Sequence, residues 1–413
     1  MKKVVLPTIL FIFILIIAFS YCACRSEGDD STNMNGPSVS VDTVLQAQID
    51  SFVTNVPHIG RLGMIVYDAT ARQDVYSFNA DSLMSPASCM KLLTCITAIK
   101  KFYASSFHKT RLYMSGTMMN DTLVGDITLK TQFDPVFNRD SLYKMTEALS
   151  TKGIKYLKGR VVLDMADYTA MSHEKHWTPG DLRTRYLGLP FSGGEKLRRE
   201  MLYALAHVDI AVNSTDIVYG RLNYTNSRLV TEIRTPMRFS IEKALKNSSN
   251  INAEALLYPL GYIRSNKGNF RTNGIKVLRE FVEKELHMSL DRSCIIDDGC
   301  GLCPEDKVTP RLLVNLLTYA YMHKKVFKEI YYDLPLSGTD GTLHDRLLRK
   351  NVTGKIKAKT GTLTKNGGIS SLSGYFTSND GHLIIFSIIN NDCPVMDGRN
   401  WQDKLLTSII KEG

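Results

Sequence analysis

An α+β fold is predicted, and three observations predict it. Two short apolar-alternating runs, residues 62–68 and 74–78, precede a helical stretch that opens near Pro86. Helical patterning then dominates residues 237–320, and the chain ends in three strand-like runs joined by tight-turn sequences. With 413 residues, 44% apolar and 22% charged, there is material for two or three domains and a full core.

The N-terminal segment reads as an export signal. Lys2 and Lys3 precede an apolar run over residues 4–19, interrupted only at Pro7 and Thr8, which leads to Cys22-Ala23-Cys24. The run is short for a membrane span, and residues 25–30 are mixed and acidic, unlike a positive-inside flank. Removing residues 1–23, whose only charges are Lys2 and Lys3, takes the net charge from +10 to +8. The two cysteines resemble the lipobox of bacterial lipoproteins. That resemblance implies lipidation at Cys24, a membrane partner through the lipid anchor, and an outer-membrane-anchored periplasmic location. Tyr21 stands where an aliphatic residue is usual, so Cys22 and plain secretion stay open as alternatives. Residues 24–45, rich at first in Gly, Asp, Ser and Asn, are expected to form a flexible tether.

The strand pair 62–68 and 74–78 leads to Pro86, a residue suited to a first helical turn, and to Ser88-Cys89-Met90-Lys91 with its apolar continuation over residues 92–99. A spacing of three puts Ser88 and Lys91 on one face. A serine hydroxyl is a weak nucleophile until a base takes its proton, and an amine one turn away can do so if burial or nearby positive charge lowers its pKa. Taken alone, the same letters also suit an ordinary helix with a solvated lysine.

Between residues 105 and 236 the texture changes, with strand-like runs at 123–129 and 159–164 around a helical stretch at 140–151. This portion is read as an inserted α+β domain without chemistry of its own, splitting the main domain into residues 46–104 and 237–413. In the second part, helices are expected at 237–257, 274–287 and 309–320. Strands follow at 356–363, 371–376 and 382–390, joined by turns holding Asn366-Gly367 and Asn379-Asp380-Gly381, and a final helix spans 401–410.

Two further motifs change the meaning of Ser88. Ser248-Ser249-Asn250 falls in the first of those helices, and Lys359-Thr360-Gly361 on the first strand of the meander. A serine–lysine pair, Ser-x-Asn and Lys-Thr-Gly, in this order, are the motifs of penicillin-binding proteins and serine β-lactamases. With Pro86-Ala87-Ser88, Val124-Gly125-Asp126-Ile127, the run 159–164, Asp298-Gly299-Cys300-Gly301-Leu302 and the tract 334–343, residues 45–410 resemble the D-alanyl-D-alanine carboxypeptidase/endopeptidase family of class C low-molecular-mass penicillin-binding proteins, the S13 peptidases.

The resemblance implies a serine β-lactamase/DD-transpeptidase-like fold, an antiparallel sheet flanked by helices, with a large insert between the first two motifs. It also implies peptidoglycan stem peptides as substrate, β-lactam antibiotics as covalent inhibitors, and no cofactor or metal. Ser88 is then the nucleophile and Lys91 its base, kept partly neutral by Lys359 and by burial, and able to act as a base only because Lys359 is expected beside it. Ser248 relays the proton to the leaving amine, and Asn250 holds the substrate peptide. Lys359 and Thr360 bind the terminal carboxylate, Gly361 lets substrate backbone lie close along the strand, and the N–H groups of Ser88 and Thr362 form the oxyanion hole. Three departures stand out: Ser249 where aspartate is common, cysteine at 300 and 303 where serine is usual, and Gln132-Phe133-Asp134-Pro135 in place of a glycine-rich loop, which predicts a reshaped insert.

Other readings have weaker support. A class A β-lactamase needs Glu-x-x-Leu-Asn, whereas residues 283–287 end in His287. A non-catalytic wall-binding lipoprotein would have no need of the intact motifs. The basic residues are scattered and carry no nucleic-acid motif, so no nucleic-acid partner is expected. Cys300 and Cys303 form a lone C-x-x-C near Cys294 without a second ligand pair for zinc, and are read as structural thiols with a disulfide as the minor case. His173-Glu174-Lys175-His176 is one residue short of the zinc-protease spacing and is read as insert surface.

Overall fold

The computed structural model describes residues 40, 42–103, 105–169, 171, 176–177, 187–364 and 367–410. The expected signal segment, Cys22, Cys24, most of the tether and His173 to Lys175 lie outside the described residues. Helix α1 (Thr43–Asn55) starts inside the segment expected to be tether, because Asp42 accepts a hydrogen bond from the Leu45 N–H and Leu45 and Ile49 find a core to enter.

Strands β1 (Arg61–Asp68) and β2 (Gln73–Phe78) follow, then a 3-10 turn (Ala87–Cys89) that runs into α2 (Met90–Phe102). The insert contains β3 (Phe107–Ser115), β4 (Thr117–Met119), β5 (Thr122–Val124), β6 (Ile127–Thr131), α3 (Arg139–Ser150), β7 (Tyr156–Lys158), β8 (Val161–Met165), α4 (Gly194–His207), β9 (Ile217–Tyr219) and β10 (Ser227–Pro236). The chain then builds α5 (Met237–Lys246), α6 (Asn250–Arg264), α7 (Phe270–Lys284), the short pair β11 (Cys294–Ile295) and β12 (Lys307–Val308), α8 (Pro310–Met322) and α9 (Lys324–Asp333). It closes with β13 (Lys357–Leu363), β14 (Ile369–Thr377), β15 (Leu383–Asn391) and α10 (Val395–Ile409).

The main sheet has the order β13-β14-β15-β1-β2 and is antiparallel throughout. Both faces are covered, so period-two alternation sorts side chains between two cores rather than between core and water. Met64, Val66, Leu372, Phe386 and Ile388 join Leu45, Trp401 and Leu405 on the α1/α10 face. Ile65, Tyr375, Ile385 and Ile389 meet α2, α6 and α8 on the other. The α2 side is the one that carries Ser88 and Lys91, so that sheet face is the floor under the motifs.

The insert folds around its own core on a mixed sheet of order β10-β3-β6-β8-β9, covered by α3 and α4. The single strand expected at 123–129 is two, β5 and β6, in different sheets. Gly125 and Asp126 break the run, because Gly125 packs on Ser115 and the Asp126 carbonyl accepts from the Ser115 N–H. The Gln132 to Pro135 loop is a seam. Phe133 sits among Phe191 of the insert and Tyr258 and Phe270 of the main domain, joining the two, while buried Asp134 accepts from Thr235 of β10 and ties the loop to its own domain.

The helix expected over 237–257 is also two, α5 and α6, broken at Asn247-Ser248-Ser249. Ser248 lies in the left-handed region at φ 57°, and the Ser249 hydroxyl caps α6 through the Asn252 N–H. Short polar side chains favour exactly such caps over helix interior. Among the described residues all six cysteines, Cys89, Cys95, Cys294, Cys300, Cys303 and Cys393, are buried free thiols. No helix among the described residues is long and apolar enough to cross a membrane.

Candidate active site

Three separate segments supply the site, and each is fixed by local chemistry. Ala87, at φ 46°, is the kink that lifts Ser88 out of the floor. A non-glycine residue there costs on the order of 1–3 kcal/mol and persists only where packing enforces it. The enforcement is visible: the Ser371 hydroxyl of β14 donates to the Pro86 carbonyl at 2.6 Å, and Ala87 is fully buried. Gly301, itself at φ 74°, allows its loop against the Ala87 carbonyl, which an added Cβ would meet at 1.9 Å. Ser88 is left partly exposed between buried neighbours.

Lys91 is fully buried one turn on, and its amine reaches three acceptors: the Ser88 Oγ at 2.9 Å, Asn250 Oδ1 at 2.8 Å and the Cys300 carbonyl at 2.6 Å. A neutral amine has two N–H bonds and one lone pair. With the two N–H bonds given to the carbonyl oxygens of Asn250 and Cys300, the lone pair is directed at the Ser88 hydroxyl. Burial lowers the Lys91 pKa, opposed by the Asp298 and Glu254 carboxylates below it. The Cys300 thiol also opposes it, but burial raises that thiol well above its ordinary value, so it is uncharged near neutral pH.

Lys359 is the second fully buried lysine. Its amine donates to the Ser248 Oγ at 2.9 Å and to the Thr360 carbonyl at 2.7 Å. Burial, then the charge of Lys91, brings its pKa down to about 7. The sequence expectation gave Lys359 the leading part in keeping Lys91 neutral. Burial is instead the larger cause for both amines.

The remaining expected residues divide. Asn250 joins through Lys91, and Ser248 through Lys359. Thr360 turns to the other side of β13 and donates to Thr342 Oγ1 at 2.7 Å. At Gly361 an added Cβ would fall 2.1 Å from Ser371 Oγ and 2.5 Å from the Pro86 carbonyl oxygen, with Ser88 N at 3.1 Å. The missing side chain lets β13 press against the turn that carries Ser88. Thr362 accepts from Arg399 Nη2 of α10 at 2.8 Å. Strand β13 is the edge of the sheet, the geometry an added peptide strand requires.

Several participants escaped sequence reasoning. The Cys300 carbonyl is backbone, which any residue offers, so no letter announces it. Its position is set by Asp298, whose carboxylate gathers the N–H groups of Cys300, Gly301, Leu302 and Cys303. Glu254, four residues after Asn250 on α6, accepts from the Gly299 N–H at 3.0 Å; that spacing on one helix face was the available signal. Arg399 and Thr342 lie outside the motifs. The Glu283 to His287 stretch stands apart from the site: Glu285 pairs with Lys100 and Tyr319 on the far side of α2.

Comparison with known proteins agrees with this geometry. The family described as D-Ala-D-Ala carboxypeptidase 3 (S13) matches residues 45–194 and 192–409. The D-alanyl-D-alanine carboxypeptidase DacB of Haemophilus influenzae is 19% identical over 432 residues, covering 84% of this chain and 89% of that protein. A D-alanyl-D-alanine carboxypeptidase of Actinomadura sp. (strain R39) is 22% identical, covering 84% and 81%. Among solved structures, penicillin binding protein 4 from Haemophilus influenzae superposes with a TM-score of 0.74 at 18% identity, over 86% of this chain and 99% of that one. A backbone shared along nearly its whole length, with the family's match running from α1 to the end of α10, leaves one conclusion: the chain belongs to the D-Ala-D-Ala carboxypeptidase 3 (S13) family.

Proposed function

We propose that Ser88 is the nucleophile through which this chain, a serine-type D-Ala-D-Ala carboxypeptidase/endopeptidase of peptidoglycan, forms its acyl-enzyme. The observation that carries the reading is the pairing of each active-site serine with its own buried amine, Lys91 on Ser88 and Lys359 on Ser248, both at 2.9 Å. Neutral Lys91 takes the Ser88 proton as Oγ attacks the carbonyl of the penultimate D-Ala. The oxyanion is held by the N–H groups of Ser88 and Thr362, a single such donor being worth about 10²- to 10³-fold in rate. The proton passes by way of Ser248 to the leaving amine, and water then hydrolyses the ester. Asn250 holds the substrate peptide, and Lys359 with Thr360 attracts the terminal carboxylate, or its equivalent on a β-lactam.

The test is a fluorescent penicillin applied to the mature protein. Wild type is expected to be labelled, Ser88→Ala not at all, and Lys91→Ala at least about 100-fold more slowly. An unlabelled wild type, or a labelled Ser88→Ala, rejects the assignment. Rapid loss of label would mark a β-lactamase instead. Digestion of purified muropeptides separates carboxypeptidase from endopeptidase products.

An exported, periplasmic location fits the peptidoglycan substrate, and we further propose a lipid anchor at Cys24, supported by the apolar run 4–19 and Ala23. Radiolabelled palmitate should enter the protein and be absent from Cys24→Ala. Label persisting in that variant would move the site to Cys22.

A further inference from the structure

His176, read from sequence as insert surface, reaches the loop that holds the Lys91 amine. His176 is largely buried, and its Nε2 lies 3.5 Å from Glu305 Oε2. The same Glu305 oxygen is 3.1 Å from the Cys303 Sγ. The three ligand atoms all fall within 4.8 Å of one another. Trp177, next to His176, packs against both the main-domain core and the seam, which fixes the approach. Asp297 Oδ2 stands 3.7 Å from the same sulfur.

We propose that Cys303, His176 and Glu305 form a binding site for a divalent transition metal of the zinc type, with water as fourth ligand. Thiolate, imidazole and carboxylate are the three ligand types zinc takes, and their number is that of a site with one open position. Bonds of about 2.0–2.3 Å in a tetrahedron put neighbouring ligand atoms roughly 3.3–3.7 Å apart. The 3.1 and 3.5 Å separations from the Glu305 oxygen are near that spacing, and His176 Nε2 lies within 4.8 Å of the Cys303 sulfur. The ligands come from sequence positions 127 residues apart (303 − 176), which is why the lone C-x-x-C showed no second ligand pair.

Binding releases the Cys303 thiol proton to solvent as the metal–sulfur bond forms. The ion would clamp the insert to the 298–303 loop, and through it to the Cys300 carbonyl that receives the Lys91 amine.

The experiment is titration of the chelator-treated mature protein with Co²⁺, followed by displacement with Zn²⁺. The expected result is one bound ion per chain with a sulfur-to-cobalt charge-transfer band. Cys303→Ser should lose the band, and His176→Ala should weaken Zn²⁺ binding at least about tenfold. Circular dichroism and the thermal midpoint of each variant verify that it is folded. If Cys303→Ser does not fold, His176→Ala and Glu305→Gln carry the decision. Absence of saturable binding, a band that survives Cys303→Ser, or affinity unchanged in both His176→Ala and Glu305→Gln overturns the site. The readouts are independent of the acyl-transfer reading, so either can fail alone.

Discussion

Two amines without water contact decide how Ser88 responds to pH. Lys91 must be neutral to accept the serine proton, and burial places its titration below the ordinary 10.5. Penicillin acylation should therefore fall as pH drops through that titration, and a rate that is flat down to pH 5 would contradict the base role. Lys359 gives a separate signature in stability. Its folded pKa is about 7 against an ordinary 10.5, so between those values the unfolded chain binds more protons than the folded one. Stability then rises with pH across that window. Between pH 7 and 8.5, below the titration of the buried thiols, wild type should gain more in thermal midpoint than Lys359→Met. Equal slopes would place the amine's titration elsewhere. At Ser249 the hydroxyl serves a helix end, so Ser249→Ala should cost about 1 kcal/mol of stability while acylation changes little.

Strands and helices act through where they stop. β13 approaches the 3-10 turn at Gly361, and Gly361→Ala would drive a methyl into Ser371 Oγ and the Pro86 carbonyl. That variant should lose penicillin labelling more than it loses stability, measured side by side; a fully active Gly361→Ala would refute the contact. The break between α5 and α6 shows what the letters could and could not say. Ser248, Asn250 and the lysines were legible because side-chain chemistry is written in residue type. The break was not, since apolar spacing runs through it and only the polar triplet marks it. Helix α9, with its strong polar content around Val326 and Ile330, and α1 were likewise missed, because each becomes a helix by docking its few apolar residues on a core assembled from distant sequence. The meander was read almost to the residue, since two-sided burial and turn chemistry are both local signals.

At the scale of the molecule, the α6/α7 side of the main domain meets the insert at a seam of aromatic rings. Phe133 touches Phe191 from the insert and Tyr258 and Phe270 from α6 and α7. Phe133→Ala should destabilise by about 3–5 kcal/mol if the seam is part of one cooperative unit. Calorimetry giving two transitions, only one of them shifted, would show that insert and main domain melt separately. The inserted position was legible from the motif spacing, whereas the seam was not: a phenylalanine in a loop has no sequence mark that distinguishes a hinge from a core.

The order of strands in the main sheet carries one more consequence. β1, made first, lies between β2 and β15, and β15 is nearly the last segment synthesised. The serine and its lysine are therefore separated from the strand that bears Lys359 by more than 260 residues of chain, and the site is assembled only when that strand pairs. Pairing across such a span is slow, because loop closure must precede any reward. A refolding chain is thus expected to stay silent towards β-lactams until that pairing is made, so the onset of covalent labelling, followed beside tryptophan fluorescence, would serve as a clock for completion of the fold.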